Sequence, residues 1–387
     1  RDKGFVANAN NDPVGATLDN NPLNDVRPSG QGLYYMGPYY AAYRMGRLDR
    51  EIKAMIADGH KITLDDMKAL QANVEALDAE LVLPTLLGIM SQVPVPPGSP
   101  MEQALNVLST WDYSANTGLA EGWDAGSSPL MMVAPSLEQA RNSAAATVWA
   151  MWRSMLVQNT IYATLEAIGL GDYLPPSDLA YNAFKHHLEN YPTASGVGAS
   201  GIPFFSAGLA ETVAGSLQMA LDKLASDEFA PAYANSTNVL DYAWGKLHRV
   251  VFSHTLGAPF NIPNWGPFTD LSPELPGLAR QGDRYTVDAA GYDVTADGLH
   301  DFMFGGSGKS GPSRRFVADM GPVAVNAQQM IAGGQSGVVT NPLYGAGLQL
   351  WLTNTYHPMT LGEAYAAGAA VVVTTFGPPA AAAAEGN

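Results

Sequence analysis

The chain has 387 residues, 47% of them hydrophobic, which is enough for a large buried core and excludes disorder as its main state. Charged residues make up only 14%, and 40 glycines with 27 prolines favour long ordered loops over a coiled coil or a helical repeat. The formal charge of −16 repels phosphate backbones and anionic lipids, and no apolar run reaches the ~18–20 residues of a transmembrane helix. We therefore expect no nucleic acid and no membrane among its partners. The absence of cysteine excludes disulfides, thiolate nucleophiles and zinc–thiolate sites.

Residues 1–36 form a predicted loop-and-strand segment that is rich in Asn, Asp, Pro and Gly. Within it, residues 5–13 read Phe-Val-Ala-Asn-Ala-Asn-Asn-Asp-Pro, an apolar patch that runs into several carboxamides. The NH₂ group of a carboxamide is a neutral donor that can bind a developing oxyanion without competing for protons. Arg44, near the start of the following helix, is placed to reach back and orient such a site. Asn runs are also common in turns, so composition alone leaves both interpretations open.

The same segment contains an oxygen-rich cluster in which Asp12, Asp19 and Asp25 alternate with asparagines. Oxygen ligands on a loop are those that calcium prefers. Asn and Asp are also ordinary turn residues, and we prefer that interpretation. A structural calcium ion stays as the alternative, and no cofactor is expected for catalysis.

Residues 37–248 are predicted to be mainly helical. Thr63 to Asp66 are typical of a helix N-terminal box, and Pro84 is expected to interrupt or kink the helical pattern that follows. Leu137 to Leu170 form the longest run, which is so poor in charge that we expect it to be buried on most sides. The predicted helices lie at residues 39–56, 64–81, 102–108, 137–170, 177–190, 207–227 and 237–248.

Residues 249–387 are predicted to be β-rich, because short apolar stretches alternate there with glycine and proline turns. The predicted strands lie at residues 248–254, 284–289, 315–319 and 369–376. The resulting fold class is α+β, with a helical middle between an N-terminal loop-and-strand segment and a β-rich C-terminal region.

Several short motifs follow one another along the chain. Gly4 to Gly15 is similar to x-A-x-A-N-N-x-P-x-G, Tyr39 to Leu48 is similar to Y-R-x-x-R-I, and Ile62 to Gln71 is similar to L-T-x-D-D-x-x-A-L-Q. In this order, these motifs resemble those of the penicillin acylase family. Later landmarks are Leu83-Pro84, Trp111-Asp112, Trp244 to His248, His254 to Gly257, Gly282-Asp283 with Thr286-Val287, Gly311 to Arg315, and Gly333 to Gly337. The resemblance extends to about Met359.

This resemblance implies an N-terminal-nucleophile hydrolase of αββα architecture, to which this chain gives the helical middle and the β-rich C-terminal part. Family members are made as one precursor that cuts itself into α and β chains. The N-terminal Ser of the β chain attacks an amide carbonyl, and its own α-amine acts as the base. By position, the oxyanion asparagine of the family falls on Asn10, or on Asn8 if the register slips by two. The arginine of the family site falls on Arg44.

The resemblance also implies that this chain, which starts at Arg1, is the C-terminal part of a β subunit after a second cut. The expected partners are an N-terminal β-subunit piece with the Ser nucleophile, the α chain of the same precursor and a small-molecule acyl amide. The expected location is the periplasm or the cell exterior.

The expected reaction releases an aliphatic or aryl acid from an amine, a lactone or a β-lactam nucleus. Residues 20–25 resemble family members that act on homoserine lactones or lipopeptides, and the acidic surface is compatible with a neutral or cationic amine. A β-lactam or lactone acylase with an aromatic pocket is a rival within the enzymes. The alternative from another class is a non-catalytic exported module that binds a small ligand.

Overall fold

The computed structural model describes residues 4–11, 29–30, 41–128, 133–198, 200–262, 272–303, 311–321, 325–359, 367–368, 372–374 and 376–377. These residues form a mixture of helices and small antiparallel sheets, which is compatible with the predicted α+β class. Among them, no helix combines the length and the apolar character needed to cross a lipid bilayer.

The helices and strands are numbered in chain order. The α-helices are α1 (Tyr43–Ala57), α2 (Leu64–Gln71), α3 (Leu77–Met90), α4 (Pro100–Ser109), α5 (Leu137–Val157), α6 (Ala163–Ala167), α7 (Ser177–Glu189), α8 (Tyr191–Ala194), α9 (Leu209–Leu224), α10 (Ala230–Tyr233), α11 (Trp244–Leu247) and α12 (Leu348–Leu352). The strands are β1 (Arg249–Val250), β2 (Leu278–Ala279), β3 (Arg314–Met320), β4 (Val325–Ile331) and β5 (His357–Met359). Short 3₁₀ turns lie at Gly171–Tyr173, Asp227–Phe229, Val239–Asp241 and Ala258–Phe260.

Local sequence signals at helix ends act as expected. The Thr63 hydroxyl accepts a hydrogen bond from the Asp66 N–H at 3.3 Å, and the Asp66 carboxylate accepts one from the Thr63 N–H at 2.7 Å. This confirms the capping box that precedes α2. Ser136 and Gln139 form the same arrangement at the start of α5. Pro84 lies inside α3, which continues on both sides of it, so the predicted interruption is wrong and the kink stays a prediction.

The longest predicted helix forms the centre of the fold. Every residue of α5 from Asn142 to Val157 is buried, and the helix packs against α4, α7 and α9. A π-helical turn at Gln158–Tyr162 joins it to α6, so the helical run ends at Ala167. This confirms the prediction that a charge-poor helix of this length is buried on most sides.

The prediction of one helix over residues 64–81 is wrong, because the chain breaks between α2 and α3. There the Ala76 N–H donates to the Tyr113 carbonyl at 2.9 Å, and the Ala115 N–H donates to the Val74 carbonyl at 3.0 Å. These bonds hold the segment in an extended pair with a distant loop. The apolar residues keep a helical spacing across this break, but the hydrogen bonds to the distant loop override that local preference.

In the described part of the C-terminal region there are two small antiparallel sheets. β1 pairs with β2, placing Val250 opposite Leu278. The second sheet has the order β3-β4-β5, with Phe316 opposite Gln329 and Ala327 opposite Met359.

The predicted strands have different outcomes. β3 confirms the strand at 315–319. In the stretch 248–254 the strand is limited to Arg249–Val250, and Phe252 forms an isolated antiparallel bridge with Ile262. The strand predicted at 284–289 is wrong, since these residues form an irregular loop. Of the predicted strand 369–376, the described residues are not in a strand and the rest lie outside the described part of the chain.

Among the described residues, the buried hydrophobic side chains form two clusters. The first surrounds α5, where Trp149 and Trp152 are buried, and it includes Tyr285 from the irregular loop. The second contains Trp123 and Trp351. The loop around Tyr285 is therefore anchored on the helical core, while the predicted division into three regions stays a prediction.

Candidate active site

Residues 4–11 contain a turn that is held by their own carboxamides. The Asn11 side-chain oxygen accepts a hydrogen bond from the Ala9 N–H at 3.1 Å, and the Asn8 oxygen accepts one from the Asn10 N–H at 3.0 Å. Asn10 has a φ of 61°, in the left-handed region where Asn is enriched. Asn8 and Asn11 thus act as turn residues, whereas the Asn10 side chain is exposed and contacts a different element.

Arg44, near the start of α1, supplies that contact. Its Nη2 atom donates to the Ala9 carbonyl at 2.8 Å and to Asn10 Oδ1 at 2.9 Å. Because arginine only donates, Oδ1 faces the guanidinium and the Nδ2 amide of Asn10 is turned away from it. The structure therefore brings the two predicted catalytic residues together and orients the NH₂ group that an oxyanion site needs. Their catalytic role stays a prediction.

Asn10 and Arg44 line a cavity of about 330 Å³, which is at the small end of the usual range for ligand pockets. Its described lining comes from the N-terminal turn, α1, the irregular loop and the start of the segment that leads into β3. The lining residues are Asn10, Ala41, Arg44, Arg284, Tyr285, Val287, Ala289, Gly291, Gly311 and Pro312.

A buried ion cluster around Arg153 anchors one wall of this cavity. The fully buried guanidinium donates to Asp78 Oδ2 at 2.6 Å, to the Tyr292 hydroxyl at 2.5 Å and to Asp283 Oδ2 at 3.1 Å. Asp283 Oδ1 also accepts a hydrogen bond from the Tyr285 N–H at 3.1 Å. The cluster thereby ties the loop that carries Tyr285 to α3 and α5.

The two carboxyl groups of this cluster have opposite pKa shifts. Burial raises the pKa of Asp78, and the nearby Arg153 offsets only part of that effect. Burial also acts to raise the pKa of Asp283, but Arg153 and the Tyr292 hydroxyl bring it below its usual value. Asp283 is therefore the ionised partner of Arg153, and Asp78 takes up a proton more readily.

A second buried cluster, centred on Asp288, holds the next part of the wall. Asp288 Oδ1 accepts a hydrogen bond from Arg315 Nη2 at 2.7 Å, and Oδ2 accepts one from Gln281 Nε2 at 3.0 Å. Arg280 Nη2 lies 2.6 Å from the same Oδ1, as an ion pair rather than an aligned hydrogen bond. The Arg280 and Arg315 guanidiniums lie 4.8 and 5.0 Å from the Trp351 ring centroid. Asp288 lies between the lining residues Val287 and Ala289, so this cluster fixes the backbone of both.

Asp178, in the first turn of α7, holds two lining side chains directly. Its Oδ2 accepts a hydrogen bond from Arg284 Nη2 at 2.6 Å, and its Oδ1 accepts one from the Tyr285 hydroxyl at 2.7 Å. Burial raises the pKa of Tyr285 well above its usual value, and the Asp178 charge adds to the effect. The Tyr285 hydroxyl is therefore a neutral donor at any working pH.

The predicted metal ligands Asp12, Asp19 and Asp25 lie outside the described residues. In the part of the chain that the structure describes, no group of three or more His, Asp and Glu side chains is arranged to hold a metal ion. The calcium alternative to ordinary turns thus stays untested.

Sequence reasoning missed Arg153, Asp78 and Asp178 as anchors of the cavity. One signal was available, because Arg153 interrupts a long charge-poor helix and a buried charge needs a partner. Its partners lie 75 and 130 residues away along the chain, a separation that no local pattern reveals.

An oriented carboxamide and two guanidiniums in one cavity define a site that can bind the oxygen atoms of a carbonyl or carboxylate group. A family model described as penicillin amidase matches residues 1–367, so the chain belongs to the penicillin amidase family. This confirms the predicted family and implies an amide hydrolase of the acylase type. No curated protein matches the chain.

Proposed function

We propose that this chain is part of an N-acyl amide hydrolase in which Asn10 stabilises the oxyanion of the reaction. The observation that carries the proposal is the bond from Arg44 to Asn10 Oδ1, which orients the Nδ2 amide. The family resemblance supports a Ser nucleophile at the N-terminus of a partner chain from the same precursor, an α chain and an αββα assembly. It likewise supports a periplasmic or extracellular location and an aliphatic or aryl acid as the released product.

The proposed mechanism is acyl transfer through the partner's serine. Attack of the serine oxygen on the amide carbon places negative charge on the carbonyl oxygen, and the serine's own α-amine takes the hydroxyl proton. Asn10 Nδ2 donates to that oxygen and, being neutral, keeps its own protons. The α-ammonium passes that proton to the leaving amine as the C–N bond breaks. Water, which gives a proton to the freed α-amine, then attacks the acyl-enzyme and releases the carboxylic acid, and the proton returns to the serine oxygen. Arg44 fixes Asn10 beforehand, so little reorganisation is needed at the moment of reaction.

Acylation of a partner chain is the expected result that tests this function. The complete precursor would be expressed, and everything that copurifies with this chain would be analysed by intact mass and N-terminal sequencing. We expect a second polypeptide that starts with Ser. Incubation with 4-nitroanilides of hexanoic, octanoic, decanoic and phenylacetic acid should give an acyl adduct on that polypeptide and free 4-nitroaniline.

A folded assembly that releases 4-nitroaniline from none of these amides, and that carries no adduct, would contradict the proposal. In that case the non-catalytic small-ligand module becomes the better interpretation. Wild-type assembly treated beforehand with phenylmethylsulfonyl fluoride, which blocks the serine hydroxyl, is the matched control, because it is already assembled but should form no acyl adduct.

Replacing Arg44 with methionine is expected to lower kcat/KM for the best of these anilides by about 10–100-fold. This corresponds to the loss of one charge-assisted hydrogen bond, which contributes about 1.5–3 kcal/mol. The reason is that Asn10 would no longer be held in one orientation. Arg50→Met is the control on the same helix, since Arg50 pairs with Glu80 at the surface. Equal effects of the two substitutions on kcat/KM would show that Arg44 has no special role.

A further inference from the structure

The buried cluster around Arg153 contains two carboxyl groups and one guanidinium. Asp78 and Arg153 are fully buried, and Asp283 is 4% exposed. The described groups that face Asp78 are Tyr43 on α1, Trp149 and Arg153 on α5, Tyr181 on α7, and Asp283 and Tyr292 at the two ends of the irregular loop, residues 283–292. Among these groups Arg153 is the only cation. Two ionised carboxylates would therefore leave one uncompensated negative charge in the core.

The tyrosines around the cluster do not change this balance of charge. Burial raises the pKa of Tyr43, Tyr181 and Tyr292 well above the usual value of a phenol, so all three stay neutral. The net charge of the cluster therefore depends on the two carboxyl groups alone.

The hydrogen bonds show where a proton fits. Asp283 accepts at both oxygens, from Arg153 Nη1 at 3.2 Å and the Tyr285 N–H at 3.1 Å on Oδ1, and from Arg153 Nη2 at 3.1 Å and the Tyr292 hydroxyl on Oδ2. Asp78 accepts only at Oδ2, from Arg153 Nη1 at 2.6 Å and Trp149 Nε1 at 3.1 Å. Within the described part of the chain, its buried Oδ1 has no donor. An ionised carboxylate oxygen accepts hydrogen bonds, whereas one that carries a proton needs no donor, so Asp78 Oδ1 suits the proton.

We propose that Asp78 and Asp283 share one proton at neutral pH, held on Asp78 Oδ1, and that this proton makes the anchoring of the irregular loop sensitive to pH. With the proton in place the cluster is neutral, and Arg153 pairs with Asp283. When the proton passes to solvent, two carboxylates compete for one guanidinium, and the bonds from Arg153 to Asp283 weaken. Because the loop carries part of the cavity lining, the proton affects how firmly that wall is held.

The coupling between the proton and the loop has a defined sign. Burial raises the pKa of Asp78 in the folded protein, and Arg153 offsets only part of that effect. When the loop opens and admits water, this pKa returns towards its usual value of about 3.9. The closed loop therefore binds the proton more tightly than the open loop. Rising pH favours opening until it reaches the folded-state pKa of Asp78.

Infrared spectroscopy of the complete assembled protein at pH 7 tests the shared proton. A protonated carboxyl group absorbs at a higher frequency than a carboxylate, and subtraction of the Asp78→Asn spectrum isolates the band of Asp78. We expect this band in the wild-type protein. It should be missing from Asp283→Asn, because Asp78 then becomes the sole counter-ion of Arg153 and ionises. Asp172→Asn, which changes an exposed carboxyl group, should keep the band.

Hydrogen exchange of peptides from residues 283–292 between pH 5 and pH 8, corrected for the intrinsic exchange rate, tests the coupling to the loop. Asp78→Asn is the reference, since it keeps an acceptor oxygen for Arg153 and has the neutral charge of the protonated acid. The protection of the loop in the wild type, relative to this variant, should fall by up to about tenfold per pH unit as the pH rises towards the folded-state pKa of Asp78. Asp172→Asn should follow the wild type.

Three results would overturn the inference. They are the absence of the band from the wild type at pH 7, its persistence in Asp283→Asn, and a relative loop protection that does not change with pH. If Asp78→Asn fails to assemble, the band is assigned by its absence from Asp283→Asn and its loss from the wild type as the pH is raised. Neither measurement uses a substrate, so a failure of this inference is distinguishable from a failure of the proposed amide hydrolysis.

Discussion

Replacing Asn10 with alanine is expected to lower kcat/KM for amide hydrolysis by about 10²–10³, the usual cost of losing one donor from an oxyanion hole. The Asn10 side chain is exposed, so its removal opens no cavity in the core. Arg44 donates a hydrogen bond to the side-chain oxygen of Asn10, an atom that alanine lacks. The loss should therefore appear in the acylation step, measured by anilide hydrolysis, and not in the amount of assembled protein.

Asn10→Gly is the second variant that keeps this prediction interpretable. Asn10 has a φ of 61°, where alanine costs about 1–2 kcal/mol and glycine adopts the same backbone without strain. Both variants remove the amide donor, so both should lose activity to a similar extent. Near-normal turnover of Asn10→Gly would show that strain, rather than the missing donor, had reduced the activity of Asn10→Ala.

Replacing Asp288 with asparagine is expected to destabilise the protein by about 3–5 kcal/mol, because it leaves two buried guanidiniums without their shared counter-ion. Asp288 is 1% exposed, and Arg280 and Arg315 lie 2.6 and 2.7 Å from its Oδ1. Urea unfolding of the assembled protein at pH 7, followed by tryptophan fluorescence, measures the change. The control is Lys53→Ala, which removes a surface ion pair with Asp49 and should cost at most about 1 kcal/mol.

The pH dependence of the Asp288 effect has a defined sign. Burial acts to raise the pKa of Asp288, but Arg280 and Arg315 together hold it well below its usual value. The stabilisation is therefore complete above the unfolded-state pKa of about 3.9 and is lost as the pH falls below it, by about 1.4 kcal/mol per pH unit. The difference between wild type and Asp288→Asn should shrink from pH 7 to pH 3. A difference that stays constant, or one near zero at pH 7, would contradict this role of the cluster.

Much of the helical structure was predictable because its signals are local. The capping box at Thr63 and Asp66 and the charge-poor run of α5 follow from side-chain chemistry within a few residues. The Asn10–Arg44 contact was also predictable, because a carboxamide run and an arginine on the next helix are both visible in the sequence. Its geometry, with Oδ1 bound and Nδ2 turned away, required the structure.

The cavity walls were not predictable, because long-range pairing decides them. Residues 284–289 have the composition of a strand, yet Asp283 and the buried Arg153 hold this stretch as an irregular loop. The helix predicted at 237–248 is reduced to a 3₁₀ turn and the short α11, where the Trp244 N–H donates to the Ser143 hydroxyl on α5 at 2.8 Å. In each case a polar partner far along the chain replaces the local pattern.

The central claim is that Asn10, oriented by Arg44, is the oxyanion donor. Its most direct test is the single-turnover acylation rate of Asn10→Asp beside that of Asn8→Ala in the assembled protein. Asn10→Asp keeps the oxygen that Arg44 binds but removes the NH₂ donor, so the rate should fall by at least about 10². Asn8 accepts a backbone hydrogen bond from Asn10 in the turn, so its substitution should change the rate by less than about tenfold. A large loss in Asn8→Ala together with a normal rate in Asn10→Asp would contradict the account and assign the oxyanion role to Asn8.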